Sequence, residues 1–359
     1  MRIVHVVPTL CNGGIERFLI NLISGLPKWW KNEVVVYDER NDWSEELSKL
    51  GVLVKTMRAP ARVGIFRNMR GLYCYFKQKK PDVVYAYTYY NAAYVLAAAA
   101  LAGVKIRVVH AHTLETEHSK TLLYVAYVLF SKMLLAAVAT CRLACSTETG
   151  KKLFYGKFKV IKNGVRVENY LFDRRKRSLL RKQLGIAANT VVLGAVGWLN
   201  KNKNQEMMIK VLAEYIKLCQ DTRLVLVGDG PELERLVGLA RQLGVFDKVL
   251  FVGSIKNASD YYNVFDVFLL TSYHEGFPYV LVEAQMNGLP TLVSSTVTKE
   301  VKLSDNMRFA DLELGPRCWA EMVEAMPKSR VKLGAEILGY SLQKTIDEVK
   351  RILEGGKVC

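Results

Sequence analysis

The chain has no C-x-x-C pair, no Asp-x-Asp triplet, no low-complexity tract and no unbroken apolar run of membrane-spanning length. Each absence removes a class of function. The seven cysteines, at 11, 74, 141, 145, 219, 318 and 359, are odd in number and scattered. That usage suits a reduced, cytosolic protein and argues against a disulfide scaffold or a structural zinc. With no Asp-x-Asp triplet, neither a metal nor another cofactor is expected. The most apolar segment, 122–145, is interrupted at its centre by Lys132. A spanning helix needs about 20 predominantly apolar residues, so a buried domain helix followed by a strand is expected there instead. Strand-like residues begin at Arg2 and loop glycines arrive by Gly13, so no signal peptide is expected. Gly13-Gly14 is not part of a G-x-G-x-x-G fingerprint, which disfavours a nicotinamide oxidoreductase. Acidic residues are scarce beside basic ones, 34 against 51, for a net charge of +17. Nucleic acid is still not expected as a partner, since no recognition helix, RNA-binding sheet motif or zinc finger accompanies the charge.

Half of the 359 residues are hydrophobic, enough for two cores of ordinary size. Strand-like runs alternate with helical stretches twice over, the signature of two doubly wound α/β domains. The first series runs from Arg2 to about Val165, and in it Phe18, Leu19, Leu22, Ile23 and Leu26 make one apolar helical face after the Gly13-Gly14 turn. The second begins near 191–196 and alternates to about Val293. Between them Asp173-Arg174-Arg175-Lys176-Arg177 reads as a solvated connector or helix start, and 331–353 is helical in pattern. Open α/β sheets bind ligands beyond the carboxyl ends of their strands, so the site is expected in the cleft between the domains.

The densest motif is His274-Glu275-Gly276-Phe277-Pro278 leading to Glu283-Ala284. Strand-like Val267-Phe268-Leu269-Leu270 precedes it, and Pro278 suits the first turn of a helix continuing through Glu283 to Met286. At such a junction Gly276 and Phe277 offer backbone N–H groups at the positive end of the helix, where a diphosphate is stabilised without a metal. Glu275 lies outside that end and can accept hydrogen bonds from sugar hydroxyls. Glu283 lies about one and a half turns inside, roughly 7–9 Å along the axis, which suits a sugar on one side of a diphosphate and a ribose on the other.

This segment resembles the E-x7-E motif of the family 4 retaining glycosyltransferases of the GT-B fold. The likeness spans nearly the whole chain. Residues 1–8 with Gly13-Gly14-Ile15-Glu16-Arg17 are similar to the family's opening strand, glycine loop and first helix. Asp82-Val83-Val84-Tyr85, Val108-Val109-His110-Ala111-His112, Ala144-Cys145-Ser146 and Asn163-Gly164-Val165 follow in order. Val227-Gly228-Asp229-Gly230-Pro231, Val252-Gly253 and Gly288-Leu289-Pro290 continue it in the second half. The resemblance implies an acceptor-binding Rossmann-like domain over 1–165, a nucleotide-sugar-binding one over 166–335, and a C-terminal helix over 336–359 packing back on the first.

It also implies roles. His112 ends a strand before Thr113 and matches the histidine that lies against the donor sugar, with His110 its competitor and His118 and His274 weaker candidates. Lys203 resembles the lysine that neutralises the departing diphosphate, Gly13 and Gly14 let backbone approach that diphosphate, and base contacts fall near Gly253 and Ser254, with uridine favoured. Glu275 orients the sugar and Glu283 the ribose. One departure stands out: where the family usually has arginine, this chain has Trp198. Its indole N–H donates one hydrogen bond and Lys201 is a cation nearby, but neither reproduces a guanidinium fork. The implied reaction is metal-independent transfer from a nucleoside diphosphate sugar with retention, by same-face attack and without a protein nucleophile, domain closure excluding water.

Charge points to the acceptor. Residues 1–165 hold 24 Lys/Arg and 11 Asp/Glu, a net of +13, which leaves +4 for the remainder. The segment from Arg58 to Lys80 mixes cations with Phe66, Tyr73, Tyr75 and Phe76, and Pro27-Lys28-Trp29-Trp30-Lys31 sets an aromatic pair between lysines. Such faces bind anionic membrane surfaces at about 1 kcal/mol per basic residue close to the lipid. A lipid-diphosphate-linked glycan at the inner leaflet is therefore the expected acceptor, and peripheral membrane attachment the expected location. A solvated basic helix is the plainer alternative. A sugar-nucleotide epimerase is disfavoured by the sparse histidine and acid complement. A non-catalytic partner of a membrane glycosyltransferase complex is the stronger rival, because Trp198 weakens the catalytic case.

Overall fold

Runs rich in Val, Ile and Leu, bounded by Gly, Pro or Asn, favour strands. In the computed structural model, which describes residues 1–11, 13–112, 121–255, 257–332 and 334–355, they assemble into two all-parallel sheets. The chain divides into two units, Met1–Gly164 with Leu342–Cys359, and Val165–Ser341.

The first unit holds β1 (Arg2–Val7), β2 (Lys31–Val36), β3 (Leu53–Thr56), β4 (Val83–Ala86), β5 (Ile106–Ala111), β6 (Cys141–Ala144) and β7 (Lys159–Val160), in the order β3-β2-β1-β4-β5-β6-β7. The second holds β8 (Val191–Val196), β9 (Thr222–Val227), β10 (Val249–Gly253), β11 (Val267–Leu270), β12 (Thr291–Ser294) and β13 (Met307–Ala310), in the order β10-β9-β8-β11-β12-β13. Parallel strands covered on both faces read as continuous apolar runs, and β4, β11 and β12 are buried at every residue. Each unit has its own core. Val4, Val84, Val109, Leu96 and Phe76 pack in the first, and Leu193, Leu226, Leu269, Leu212 and Trp319 in the second.

The helix Leu342–Gly355 belongs to the first unit. It buries Ile346, Val349 and Leu353, donates from the Thr345 hydroxyl to the Lys162 carbonyl at 2.8 Å, and pairs Glu348 with Lys159 at 3.0 Å. The return falls at Leu342 rather than 336, because Ile337 is still buried in the second unit and Ser341 bridges Val165 there. Nor is 331–353 one helix. The Val331 amide donates to the Gly288 carbonyl, while Arg330 lies 4.0 Å from the Phe172 ring centroid and donates to the carbonyls of Tyr262 and Phe265. These ties fix Arg330 and Val331 outside any helix, and a short helix, Ala335–Leu338, precedes Leu342–Gly355.

Three expectations are refined by packing. Segment 122–145 is a helix, Leu122–Val138, followed by β6, but the helix is not buried: among its residues only Ser131 and Leu135 are fully enclosed. The Trp29-Trp30 pair splits, Trp29 standing in solvent and Trp30 turning into the core. Asp173 is a helix cap, its carboxylate accepting from the amides of Arg175 and Lys176. Arg177 and Arg181 are then not solvated, since both donate to Asp266 at 2.6 Å.

Candidate active site

Strand order reverses once in each sheet, between β1 and β4 and between β8 and β11. Loops leaving the carboxyl ends of such neighbours run in opposite directions and open a crevice between them. In the second unit the two loops carry the residues expected to hold the donor.

After β8 the chain passes Gly197, Trp198 and Leu199, makes the single turn Lys201–Lys203 capped by Asn200, and enters the helix Gln205–Tyr215. After β11 it passes Thr271 to Pro278 and enters the helix Tyr279–Met286. The two loops are stitched together. Asn202 donates from Nδ2 to the His274 carbonyl at 2.8 Å and accepts the His274 amide at Oδ1 at 3.1 Å, while the Thr271 hydroxyl donates to the Asn204 carbonyl at 2.7 Å. Lys203 Nζ meets Glu275 Oε1 at 2.5 Å in a half-buried position. Gly276, Phe277 and Pro278 are buried at the helix entrance, Phe277 stacking on Tyr340 with ring centroids 5.5 Å apart. No side chain caps the N-terminus of Tyr279–Met286 and its first turn holds no acidic residue. Glu275, the carboxylate beside this helix entrance, is paired with Lys203 rather than with the helix amides.

A glycine ledge lies beside this loop. A Cβ on Gly228 would sit 2.0 Å from the Gly197 carbonyl oxygen, and one on Gly230 would sit 2.2 Å from that of Leu199, so only glycine permits the approach. The Gly197 amide donates to Val227, Leu199 to Asp229 and Gly228 to Gly253, tying the loops after β8, β9 and β10 into one surface. Ser254 is exposed at the end of β10. Trp198 is 44 % exposed, and its carbonyl, not its indole, is fixed, accepting from Gln205 Nε2 at 3.0 Å. Lys201 is exposed in the same turn.

Glu283 is fully buried. Its Oε1 accepts the Tyr170 hydroxyl at 2.8 Å and its Oε2 the Tyr262 hydroxyl at 2.5 Å. Those two tyrosines have no motif around them, and sequence reasoning missed them. It also passed over Asn202, which lies in a Lys-Asn-Lys-Asn run that reads as solvated surface.

In the first unit His112 follows β5, its ring centroid 4.0 Å from that of His110 and tilted 41° to it, two residues apart on one strand face, with the Phe18 centroid at 4.6 Å. Both His112 ring nitrogens are buried without a hydrogen-bond partner among the described residues, and burial pushes the imidazole down to about 3. His110 accepts or donates at Nδ1 with the Tyr85 hydroxyl at 2.8 Å, and burial, with His112 beside it, holds it well below the usual range. Thr113 and His118 lie outside the described residues. His274 is exposed. Gly13 precedes the helix Gly14–Gly25 and packs against Glu16, a buried acid that accepts the Thr9 hydroxyl at 2.6 Å and whose carboxyl burial pushes up. A cavity of about 590 Å³ lies at the carboxyl ends of β1, β2 and β3, lined by Tyr37, Asp38, Glu39, Arg58, Arg62 and Asn91 among others.

Two Rossmann-like units, each with loops diverging at a strand-order reversal, define the GT-B fold class. The chain belongs to the group 1, family 4 glycosyltransferases: residues 12–169 match the model "Glycosyltransferase Family 4" and 176–302 the model "Glycosyl transferases group 1". It is 30% identical to the putative glycosyltransferase EpsF of Bacillus subtilis (strain 168) over 96% of this chain and 94% of that protein. It is also 30% identical to the Escherichia coli UDP-Gal:alpha-D-GlcNAc-diphosphoundecaprenol alpha-1,3-galactosyltransferase, over 64% of this chain and 62% of that enzyme. The fold matches Anabaena Alr3699/HepE in complex with UDP and glucose, with a TM-score of 0.81, 20% identity and 99% of each chain covered. WaaG, a glycosyltransferase involved in lipopolysaccharide biosynthesis, superposes with a TM-score of 0.70 at 17% identity, covering 98% of this chain and 94% of that one.

Proposed function

We propose that the protein transfers a sugar from a uridine diphosphate sugar to a lipid-linked glycan, with retention at the anomeric carbon, in assembling a cell-surface polysaccharide. The observation that carries this reading is the meeting of Lys203 and Glu275 beside the uncapped helix Tyr279–Met286, at the reversal of strand order. As the sugar–phosphate bond breaks, positive charge develops on the sugar ring and negative charge on the departing diphosphate. Lys203 and the amides of Gly276 and Phe277 stabilise that diphosphate, so the reaction proceeds without a metal. The acceptor hydroxyl attacks from the same face and its proton passes to the leaving phosphate.

Glu275 orients the sugar hydroxyls. Glu283, whose carboxylate accepts the Tyr170 and Tyr262 hydroxyls, takes the ribose. His112 presents a neutral imidazole to the sugar, in keeping with its lowered pKa. Gly13 and Gly14 approach the diphosphate, and Gly253 with Ser254 the base. The cavity lined by Arg58, Arg62, Asp38 and Glu39 offers cations for an acceptor's phosphate and carboxylates for its hydroxyls. The donor and acceptor classes are supported by the name of the Escherichia coli relative, a UDP-Gal enzyme acting on a diphosphoundecaprenol-linked sugar, and by the UDP and UDP-glucose complexes of HepE. Such an acceptor places the protein at the inner face of the membrane as a peripheral protein.

A second reading, a non-catalytic partner of a glycosyltransferase complex, is favoured by Trp198 standing where a guanidinium is expected. Calorimetric titration with UDP, GDP and ADP, with and without magnesium, separates the two. Magnesium-independent binding of UDP, weakened in Lys203→Ala, is expected. Binding only with magnesium would overturn the metal-free route, and no nucleotide binding at all would favour the partner role.

A further inference from the structure

A second cavity, of about 640 Å³, lies in the second unit away from the donor loops. Four cations line it, Arg174, Arg177, Arg181 and Lys182, together with the apolar Phe172 and Ile186, and no acidic residue does. Its volume is that of a small-molecule site. All four cations come from the helix Arg174–Gln183, whose period gathers residues three and four apart on one broad face. Ile186 lies just before β8, and Arg181 donates to the Ala188 and Thr190 carbonyls there, so the cavity sits by the amino end of that strand. The donor loop leaves from the carboxyl end, about 20 Å away along the six residues of β8.

The charge around this cavity is not balanced within the protein. Arg177 and Arg181 share Asp266, whose second oxygen also accepts the Val192 amide at 2.8 Å. Arg330 is the third guanidinium of the group: it donates to the Asn263 and Phe265 carbonyls that Arg177 also uses, and no carboxylate bonds it among the described residues. Three guanidiniums therefore gather around one carboxylate, and burial, with Arg177 beside it, pushes Arg330 down to about 9. Main-chain carbonyls solvate these groups but carry no charge. The other acids nearby are taken: Asp260 pairs with Lys176 at 2.7 Å, Asp173 accepts amides of its own helix, and Asp221 accepts the Thr190 hydroxyl. Arg174 and Lys182 are exposed and have no ionic partner among the described residues. Enclosed cations short of counter-charge are costly, and a bound anion offsets that cost.

We propose that this cavity is a second ligand site, distinct from the donor site, which takes a small phosphomonoester such as a sugar phosphate: the phosphate lies among Arg174, Arg177 and Lys182, and the organic part against Phe172 and Ile186. The site stands independently of the donor reading, but its effect rests on that reading. The Phe172 ring faces Arg330 at 4.0 Å, Arg330 Nε donates to Asn287 Oδ1 at 3.0 Å, Asn287 Nδ2 donates to the Tyr170 carbonyl at 2.8 Å, and the Tyr170 hydroxyl donates to Glu283 at 2.8 Å. A ligand seated on Phe172 thus rests on the same bonded chain as the carboxylate assigned to the ribose. Each ligand then changes the affinity of the other, and by the same factor.

The test is calorimetric titration of the full chain with inorganic phosphate and with glucose 6-phosphate, each without and with UDP. Glucose 6-phosphate is expected to bind at one site and more tightly than phosphate, and to lose about ten-fold or more in affinity in Arg174→Gln/Lys182→Gln, which removes two charged donors. Both residues are exposed, so that variant should keep the wild-type melting curve and the wild-type affinity for UDP alone. Lys203→Ala and Arg58→Gln/Arg62→Gln, which alter the donor loop and the cavity of the first unit, should leave glucose 6-phosphate binding unchanged. Binding that survives Arg174→Gln/Lys182→Gln but is lost in either of those variants would put the anion elsewhere and overturn the site, as would no binding of either probe. Saturating glucose 6-phosphate is expected to change the UDP affinity by about five-fold or more. Equal UDP affinity with and without it would overturn the coupling. Glucose 6-phosphate binding that needs Arg174 and Lys182, in a chain that binds no nucleotide, would uphold the site and fail the donor reading alone.

Discussion

The ammonium of Lys203 lies 2.5 Å from the carboxylate of Glu275, a contact between residues 72 positions apart that exists because β8 and β11 are neighbours. The pair is half-buried and backed by Asn202, which binds the His274 main chain on both sides of its peptide. Lysine is thereby held beside an uncapped helix N-terminus, its charge balanced by Glu275.

Lys203→Ala is expected to lower kcat for sugar transfer by about 10²–10³, the usual loss when one charged donor to a leaving group is removed. Because the two side chains are only 21% and 13% exposed, loss of the ammonium leaves a largely enclosed carboxylate unpaired, and the thermal midpoint should fall as well. Initial rates with a UDP-sugar donor, beside a melting curve, check both. A variant with wild-type kcat would remove Lys203 from the chemistry.

Glu283 has a different weight. Its carboxylate is enclosed and held by two phenols, so Tyr170→Phe and Tyr262→Phe should each destabilise the fold by about 1.5–3 kcal/mol, the range for hydrogen bonds to a charged group. Glu283→Ala removes both bonds and should cost more than either tyrosine change. Chemical denaturation measures this. Equal stability of wild type and Tyr262→Phe would mean that the phenol is not bonded to the carboxylate in solution.

Trp198→Arg restores a guanidinium beside the glycine ledge. The side chain is nearly half exposed and only its carbonyl is tied down, so the exchange disturbs no buried contact. Turnover is expected to rise by about ten- to a hundred-fold. No activity before or after the change, with UDP binding absent, would support the non-catalytic reading.

The buried histidines make stability depend on pH. Burial pushes His5 down to about 4 and His112 to about 3, and holds His110 low as well, against about 6.5 in the unfolded chain. Below 6.5 the unfolded chain takes up protons that the folded chain refuses. The stabilisation is thus complete above 6.5 and is lost as pH falls from there toward the folded values, by up to about 1.4 kcal/mol per pH unit for each histidine. Urea unfolding at pH 7.5 and pH 5 should show the loss, and His5→Gln should reduce it. An unfolding free energy equal at both values would sink the argument.

Much of this was legible beforehand. Alternating apolar runs and helical periods marked both parallel sheets, since a strand covered on two faces must be apolar throughout, as β4 and β11 are. The strand-to-helix passage at Pro278 was equally plain, because proline tolerates the first turn of a helix and little else nearby. The apolar run from Leu122 misled because periodicity reports which residues are apolar, not whether anything covers them.

By itself the sequence determined the two-fold α/β plan, the glycine turns and the strand-to-helix junction, because each follows from backbone sterics and side-chain periodicity within about 15 residues. Tertiary structure alone decided that Lys203 meets Glu275, that Tyr170 and Tyr262 enclose Glu283, and that Arg177 and Arg181 share Asp266. Those are contacts across strand order and helix packing, and strand order is a property of the whole sheet that no local run of residues encodes.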